Sequence, residues 1–226
     1  LKYAVKETIK TCANFGCEYE IVIIDDGSSD NTFKIGQELA AASSKIVIKK
    51  NTLNFGKGRA LKKGFRYTTG DYIVFLDSDL DLHPEQLKVF FKVLLEQDSD
   101  VVIGSKRHKD SRVDYPHHRK VISSIYFFLI KVLFNLPIHD TQTGLKLFKR
   151  EVLEKVFPKV LIKRYAYDLE VLVLAHHYGY SISEAPVIIT FNRNFGSRIS
   201  IFCILHTWWD TMATFYRLNI LRWYNK

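Results

Sequence analysis

Cysteine, proline and methionine are scarce in this 226-residue sequence, which contains three, five and one of them respectively. An odd number of cysteines without metal-type spacing disfavours both a disulfide framework and a zinc site, so we expect reduced thiols in a protein that faces the cytosol. Repeats, low-complexity tracts and Pro/Gly-rich linkers are also lacking, which predicts a single domain over residues 1–226.

Uninterrupted hydrophobic runs are missing as well. The two most apolar stretches are 121–138 and 199–221. Lys131 and Asn135 interrupt the first, and charged residues that include Asp210 interrupt the second. A membrane-spanning helix needs about 20 apolar residues, so neither stretch is expected to cross a bilayer.

Negative charge is in the minority, because 24 Asp and Glu stand against 33 Lys and Arg, for a formal net charge of +9. With 47% hydrophobic residues, the composition is that of a folded protein. A basic surplus favours an anionic partner, which could be nucleic acid, a phosphorylated substrate or acidic lipid. The charge alone does not choose among these classes.

The first half of the sequence alternates between strand and helix patterns. Short β-branched runs predict strands at Glu20–Ile24, Lys45–Lys49, Tyr72–Leu76 and Val101–Gly104. Capping residues and helical periodicity predict helices at Thr32–Ala42, Gly58–Thr69 and Pro84–Glu96. This order predicts an α/β fold with a doubly wound, mostly parallel sheet flanked by helices. Such sheets bind ligands at the carboxyl ends of their strands, where this sequence has polar clusters.

Two carboxylates follow the strand predicted at 72–76, in the sequence Asp77-Ser78-Asp79. Carboxylates spaced in this way can hold Mg²⁺ or Mn²⁺, which prefer oxygen ligands and keep positions open for substrate phosphates. Asp81 adds a third carboxylate nearby. An ordinary acidic turn has the same pattern, so these residues alone do not decide between the two.

Two further loops have the character of a nucleotide site. Asp25 and Asp26 follow the strand at 20–24, and their carboxylates can accept hydrogen bonds from a nucleobase or ribose. The segment 54–59 (Asn-Phe-Gly-Lys-Gly-Arg) is glycine-rich and basic ahead of a helix, where a phosphate can approach the backbone. A helix-capping turn explains the first loop equally, and the second lacks the P-loop spacing.

The second half of the sequence has a different character. The stretch 105–120 is rich in Lys, Arg and His, and two apolar helices are predicted at Val121–Leu136 and Ser200–Tyr224. The second of these helices carries aromatic residues on one face, as is typical of helices at a membrane interface. Alternatively, both helices pack on the core, and the basic stretch is a solvated loop that rests on anionic lipid.

Six segments of the chain occur in a recognisable order: Ile21–Thr32 (IVIIDDGSSDNT), Asn54–Leu61 (NFGKGRAL), Gly70–Asp79 (GDYIVFLDSD), Asp140–Phe148 (DTQTGLKLF), Tyr165–Val171 (YAYDLEV) and Gly196–Arg198 (GSR). Together they cover nearly the whole chain and resemble family 2 glycosyltransferases with the GT-A fold. The segments at 140–148 and 165–171 are most similar to the branch that makes polyprenyl-phosphate sugars, the dolichyl-phosphate glucosyltransferases and the dolichol-phosphate mannosyltransferases.

The resemblance implies an inverting transfer of a hexose from a nucleotide-diphosphate sugar, with UDP-glucose favoured, to a polyprenyl or dolichyl phosphate. It assigns nucleotide-sugar binding to Asp25, Asp26, Lys57 and Asp77. It assigns the metal, Mg²⁺ or Mn²⁺, to Asp79 and Asp81. It assigns the acceptor phosphate to Arg107, Arg119, Ser123 and Arg198. It assigns the orientation of acceptor or sugar during catalysis to Asp140, Asp168 and Glu170.

The same resemblance divides the domain into a nucleotide-sugar half (1–104), an acceptor half (105–198) and an amphipathic C-terminal helix (199–226). It also implies a first strand that ends in a Pro-x-Tyr-Asn-Glu-like turn. Because Leu1-Lys2-Tyr3 has the pattern of the helix after that strand, we expect the strand to be missing. The expected location is a membrane surface on the cytoplasmic face, of the endoplasmic reticulum or of a prokaryotic plasma membrane.

Several alternatives stay open. The donor could be GDP-mannose, and the acceptor could be a sugar hydroxyl, as in polysaccharide synthesis, although the aromatic helices and the arginines favour a lipid phosphate. A nucleic-acid partner is not expected, because no nucleic-acid motif is present and the acidic clusters would repel a phosphate backbone. A non-enzymatic scaffold at a membrane surface is a further alternative. The oligomeric state is left open.

Overall fold

The computed structural model describes residues 1–113, 117–190 and 201–225, with the backbone only for 117–122 and 201. The helices are α1 (Lys2–Phe15), α2 (Thr32–Ala42), α3 (Lys57–Phe65), α4 (Leu87–Glu96), α5 (His117–Phe134), α6 (Arg150–Val156), α7 (Tyr167–His177) and α8 (Ile201–Phe215). The strands are β1 (Ile21–Asp25), β2 (Ile46–Lys50), β3 (Tyr72–Phe75), β4 (Val101–Ser105), β5 (Arg112–Val113), β6 (Lys146–Lys149), β7 (Ile182–Pro186) and β8 (Ile188–Ile189). The four strands and three helices predicted in the first half are present, with ends shifted by a few residues.

The central sheet has the strand order β3-β6-β4-β7, and β1 and β2 form a separate parallel pair. Strand β6 runs antiparallel to both β3 and β4, whereas β4 and β7 are parallel. A short parallel pair, β5 and β8, lies beyond the central sheet. The expectation of a mostly parallel sheet flanked by helices is therefore confirmed, and β6 is the strand that runs the other way.

Helices cover both faces of the central sheet because its strands alternate apolar side chains between two cores. Val101 and Ile103 face a large cluster that includes residues of α5, α6 and α7. Val102, between them, faces a second cluster that includes Phe90 of α4. A strand with both faces buried reads as a continuous apolar run, as β4 does. Phe90 is 0% exposed, and its replacement by alanine would cost about 3–5 kcal/mol of stability.

Side chains link the segment before β1 to the segment before β3, and helix α3 to the residues after β3, although among the described residues β1 pairs only with β2 and β3 only with β6. Before the two strands, the Glu20 carboxylate accepts hydrogen bonds from the backbone N–H groups of Thr69 and Gly70. After them, Lys57 forms an ion pair with Asp77. The expectation that the first strand of the family is missing ahead of α1 is not tested by this arrangement and stays a prediction.

The predicted C-terminal helix, Ser200–Tyr224, is wrong in one respect: it is not continuous. Helix α8 ends at Phe215, and a π-type turn at Tyr216–Ile220 and a short 3₁₀ helix at Trp223–Asn225 follow. A backbone hydrogen bond from Leu221 to the carbonyl of Tyr216 closes the wider turn. The turn brings two side chains of this segment, those of Arg217 and Tyr224, back to a buried carboxylate described below.

Helices α5 and α8 pack on each other in the second half. The hydroxyl groups of Tyr126 and Thr211 are 3.0 Å apart, and the rings of Phe134 and Phe215 meet edge to face at 6.1 Å. Within the described parts of the chain, no helix combines the length and the apolar character needed to cross a bilayer.

Candidate active site

Asp77 occupies the point where the end of β3 meets the start of β6. The two strands are antiparallel with Phe75 opposite Lys146, so the residues after β3 lie beside those before β6. The Asp77 carboxylate lies against Gly144, where an added β-carbon would collide with its Oδ2 atom. Its other oxygen, Oδ1, is 2.5 Å from the Lys57 ammonium group. The register of two strands thus positions a predicted site carboxylate.

Asp168 and Lys146 form a buried ion pair next to this point. Lys146 is 1% exposed, and its ammonium group donates to the Thr143 carbonyl and to Oδ1 of Asp168. Asp168 is 7% exposed and lies in the first turn of α7. Burial lowers the pKa of Lys146, and the charge of Asp168 opposes that shift without cancelling it. A buried lysine next to a carboxylate is stabilised by the pairing, since either charge alone would be costly to bury.

Lys57 faces both carboxylates. Partial burial acts to lower its pKa, but the charges of Asp77 and Asp168 outweigh it, so the pKa of Lys57 is raised. Two lysines and two aspartates therefore alternate in charge at this point. We call this group the charge cluster: Lys57, Asp77, Lys146 and Asp168. The side chain of Lys57 is 41% exposed, so this ammonium group can also meet an incoming anion.

Asp79 and Asp81 flank a strained turn directly after Asp77. Leu80, between them, has a φ of 61°, in the left-handed region that branched and bulky residues rarely adopt, and its side chain is buried. The backbone N–H of Asp81 donates to Oδ1 of Asp79 at 3.3 Å, and the carbonyl of Asp81 accepts from the N–H of Thr190. Both carboxylates are half-buried on one turn. Within the described ranges, no three His, Cys, Asp or Glu side chains come together as a ready metal site.

The oxygen donors of this turn fit the predicted divalent cation. Carboxylate oxygens are the ligands that Mg²⁺ and Mn²⁺ take, and two of them on one turn leave positions for substrate phosphates. Asp79 and Asp81 would hold the cation beside the charge cluster. The sequence prediction of their role stays a prediction.

Asp25 and Asp26 have different surroundings at the end of β1. Oδ1 of Asp25 accepts a hydrogen bond from the Ser28 N–H, while its Oδ2 is buried without a hydrogen-bond partner. Asp26 accepts from the side chain of Asn51 at 2.7 Å and from two backbone N–H groups of the glycine-rich loop, one of them on Gly56. Asp26 therefore shapes the loop that presents Lys57, whereas Oδ2 of Asp25 makes only a long ion pair, at 3.9 Å, with the Lys50 ammonium group.

The expectation that the glycine-rich loop offers its backbone to a phosphate is wrong for this loop. The N–H groups of Gly58 and Arg59 donate to the carbonyl of Lys163, and that of Gly56 donates to Asp26. A β-carbon on Gly56 would meet the Lys163 carbonyl at 2.5 Å, and Gly56 has a φ of 99°. The glycines are thus explained by close packing of the helix start against the segment before α7.

Arg107 and Ser123, both predicted acceptor residues, are brought together. The Arg107 guanidinium donates to the hydroxyl groups of Ser123 at 3.3 Å and Ser124 at 3.1 Å, and it lies over the ring of Phe127 at 5.0 Å. Stacking and paired donors are the geometry in which arginine binds phosphate well. The side chain of Arg119 and all of Arg198 lie outside the described residues.

Asp140 holds together the loop that precedes β6. Its Oδ2 accepts from the Lys106 N–H at 3.0 Å and from the Thr143 hydroxyl at 2.8 Å, and its Oδ1 accepts from the Gln142 N–H. Burial acts to raise the pKa of Asp140, but the charge of Lys106 and these hydrogen bonds outweigh it and lower the pKa. An ionised carboxylate with these contacts positions residues 140–146, on which the charge cluster depends.

Glu170 is 0% exposed and fully engaged by protein donors. Oε2 accepts from the N–H groups of Leu161 and Ile162, and Oε1 accepts from Arg217 at 3.0 Å and from the Tyr224 hydroxyl. Burial, followed by the charge of Glu170, raises the pKa of Tyr224 above its usual range. These contacts fasten the C-terminal segment to α7, which favours a structural role over the predicted catalytic one.

Two residues of the site were missed in the sequence. Lys146 and Gly144 lie inside the quoted segment 140–148, but neither was given a role. The signal available was a lone lysine between two leucines at the start of an apolar run, which is unusual in a buried strand.

The fold and this arrangement define the class of the protein. A mostly parallel sheet with helices on both faces, carrying acidic residues at its strand ends, is the layout of a GT-A glycosyltransferase. The chain belongs to glycosyl transferase family 2, whose family model matches residues 3–157.

The chain is similar over most of its length to curated proteins of this kind. It is 28% identical over 223 residues to the glycosyltransferase AglD of Haloferax volcanii, covering 93% of this chain and 35% of that protein. It is 34% identical over 180 residues to a dolichyl-phosphate beta-glucosyltransferase of Dictyostelium discoideum, covering 75% of this chain and 54% of that protein. The chain thus spans about a third and about half of the length of these two relatives.

A solved structure shares the fold. Glucosyl-3-phosphoglycerate synthase from Mycobacterium tuberculosis, in complex with Mn²⁺, UDP-glucose and phosphoglyceric acid, superimposes with a TM-score of 0.67 at 19% identity. The match covers 94% of this chain and 74% of that one. At this identity the likeness establishes the GT-A fold.

Proposed function

We propose that this chain transfers a hexose, glucose from UDP-glucose in the favoured case, to dolichyl phosphate or another polyprenyl phosphate with inversion at the anomeric carbon. The observation that carries the proposal is the charge cluster at the end of β3, directly before the Asp79–Asp81 turn. The name of the Dictyostelium discoideum relative supports both the glucose and the dolichyl phosphate. The UDP-glucose bound to the Mycobacterium tuberculosis enzyme supports the donor.

The donor would bind along the ends of β1 and β3. Asp25 would contact the base or ribose, since its Oδ2 makes no hydrogen bond and only a long ion pair, at 3.9 Å, with Lys50. Asp77 would contact the ribose or the sugar, and Lys57 would exchange part of its contact with Asp77 for a phosphate oxygen. Asp26 would act through the loop that carries Lys57.

Mg²⁺ or Mn²⁺ would be held by Asp79 and Asp81, with the Mn²⁺ of the Mycobacterium tuberculosis complex supporting the second choice. When bound, the cation supplies positive charge that offsets the charge growing on the departing diphosphate. The protein contributes the fixed turn around Leu80, which keeps the two carboxylates together before substrate arrives.

The acceptor phosphate would bind at Arg107 and Ser123, with Arg119 and Arg198 as further cations. Its oxygen is already ionised near neutral pH, so a strong general base is not required. This oxygen forms a bond to the anomeric carbon, the bond from that carbon to the diphosphate breaks, and its electron pair leaves with the nucleoside diphosphate. Asp168 and Asp140 orient and support the reacting groups, since position and charge supply most of the rate.

A membrane surface is the proposed partner of helices α5 and α8. Ile125, Phe128 and Val132 are 65%, 68% and 65% exposed on one face of α5. Leu205 and Trp209 are 59% and 76% exposed on the adjoining helix. Exposed aromatic and aliphatic side chains on two helices that pack on each other, in a basic protein, favour an anionic lipid interface. The proposed location is the cytoplasmic face of the endoplasmic reticulum or of a prokaryotic plasma membrane.

Transfer assays in lipid vesicles test the function. The protein is given UDP-glucose or GDP-mannose, with dolichyl phosphate or a soluble glucoside as acceptor, and with Mn²⁺, Mg²⁺ or chelator. Metal-dependent formation of dolichyl phosphate glucose supports the proposal. Product formed from GDP-mannose would assign the alternative donor, and product formed on the soluble glucoside would assign the alternative acceptor. Asp79→Asn should abolish transfer while Asp71→Asn, an exposed control, retains it. A folded protein that binds no nucleotide sugar would contradict the transferase function and favour a scaffold.

A further inference from the structure

Lys146 has no assigned role, although it is buried at the edge of the site. It is the first residue of β6 and is 1% exposed. Its ammonium group donates to the carbonyl of Thr143 and to Oδ1 of Asp168. Burying an ammonium group is unfavourable unless it is paired and hydrogen-bonded, and an apolar side chain would fill the same space without that requirement. The residue type at this position therefore follows from the contact with Asp168, not from packing.

The segment around Lys146 contacts two carboxylates at once. Gly144 lies against Asp77, and Lys146 binds Asp168 two residues later. Strand β6 is fixed on both sides, because it pairs with β3 and with β4. The distance between the two carboxylates is thus set by one short piece of backbone in the middle of the sheet.

We propose that Lys146 is a positioning residue for Asp168 in the transfer reaction, which deepens the proposed function and rests on it. Lys146 is too buried to touch a substrate, so it acts through Asp168. By holding Oδ1, Lys146 orients the Asp168 carboxylate, which also interacts with the buried Tyr167 hydroxyl, so that the carboxylate meets a hydroxyl or phosphate group at a set position. Misplacement of such a group by about 1 Å can cost on the order of a hundredfold in rate.

The test compares Lys146→Met, Lys146→Arg and Lys149→Met with the wild type in the UDP-glucose to dolichyl phosphate assay. Lys149 is the matched control, since it ends the same strand but lies outside the charge cluster. Its ammonium group pairs with the Asp100 carboxylate at 2.8 Å. We expect Lys146→Met to lower kcat by about tenfold or more while the KM for UDP-glucose changes by less than about threefold. Lys146→Arg should recover part of the loss, and Lys149→Met should retain wild-type kinetics.

A double-mutant cycle separates positioning from folding. Asp168→Asn should lower kcat at least as far as Lys146→Met does, and the double variant should match Asp168→Asn, because Lys146 acts only through Asp168. The double variant should also melt at a higher temperature than Lys146→Met, since no unpaired charge is left buried. Wild-type kcat in a folded Lys146→Met, or multiplicative losses in the double variant, would overturn the positioning role alone. An inactive wild type in the same assay overturns the proposed function and the positioning role with it.

Discussion

The carboxylate of Asp77 lies against the backbone of Gly144, in the space that a β-carbon at position 144 would occupy. The contact exists because β3 and β6 are antiparallel neighbours with Phe75 opposite Lys146. A strand that runs against its neighbours thus brings a glycine and a lysine to the same end of the sheet as the acidic residues after β3.

Gly144→Ala is expected to move Asp77 and to weaken use of the donor. The added methyl group cannot coexist with the present position of the carboxylate, so kcat/KM for UDP-glucose should fall by about tenfold to a hundredfold. Gly70→Ala is the control, because a β-carbon there meets its nearest atom at 3.6 Å, an ordinary contact. Steady-state kinetics of both variants and the wild type are the test. If Gly144→Ala has the same kcat/KM for UDP-glucose as Gly70→Ala, this contact has no role in the reaction.

Arg107→Lys is expected to weaken binding of the lipid phosphate and to leave the donor unaffected. Lysine keeps the charge but loses the planar guanidinium group, whose Nη2 donates to Ser123 and Ser124 and whose plane lies over Phe127. The KM for dolichyl phosphate should rise by about tenfold, equivalent to about 1.4 kcal/mol. Arg112→Lys, in the same basic stretch, is the control and should retain the wild-type KM. A rise in the KM for UDP-glucose instead would indicate that Arg107 belongs to the donor site.

Tyr224→Phe tests whether Glu170 is structural. The variant removes a hydrogen bond to a fully buried carboxylate and the acceptor of the Arg217 Nε–H group, so the free energy of unfolding should fall by about 2 kcal/mol, as measured by urea unfolding. Tyr180→Phe, whose hydroxyl is 3.5 Å from its acceptor, should change it by less than about 0.5 kcal/mol. If Glu170 has the structural role that its four donors indicate, Tyr224→Phe keeps wild-type kcat at a temperature where it is folded. A selective loss of kcat would restore the predicted catalytic role.

Asp140 predicts a pH dependence of stability. Its pKa is lowered in the folded state, because the charge of Lys106 and three hydrogen bonds outweigh burial. A lowered carboxyl pKa stabilises the fold at pH values above the unfolded pKa of about 3.9, and this contribution is lost as the pH falls through the folded pKa. In urea unfolding between about pH 6 and pH 2, the free energy of unfolding of Asp140→Asn should therefore fall less steeply as the pH is lowered than that of the wild type. The variant is already less stable at neutral pH. An exposed control, Asp71→Asn, should keep the wild-type slope.

Much of the fold was predictable because the first half of the chain obeys local rules. β-branched runs, caps and helical periodicity predicted four strands and three helices, and the acidic residues at strand ends indicated where a ligand would bind. Strand β6 and the role of Lys146 could not be predicted in this way. From sequence alone, a lysine in an apolar run is expected to be exposed. Its burial depends on the register of β6 with β3 and on the position of the start of α7, which together bring Asp168 into contact with it.

The prediction of one continuous C-terminal helix failed for a related reason. Its helical pattern continues past Phe215, but Arg217 and Tyr224 bond to Glu170, which lies 47 and 54 positions away in the sequence. Long-range contacts of this kind override a local helix pattern, and nothing in the periodicity of the segment reveals them. The same network gives Glu170 its buried position, whereas the resemblance to the family had assigned it a catalytic role.

Trp209→Ser is expected to weaken attachment to lipid. Trp209 is 76% exposed on α8, beside the apolar face of α5, so its ring is available to enter a lipid headgroup layer. Leu95→Ser is the matched control, because Leu95 is 72% exposed on α4, at the opposite face of the sheet. Co-sedimentation with vesicles that contain anionic lipid should show weaker binding for Trp209→Ser by about tenfold and no change for Leu95→Ser. Equal binding of all three proteins would contradict the membrane role of α8, and equal loss in both variants would point to general hydrophobic adsorption.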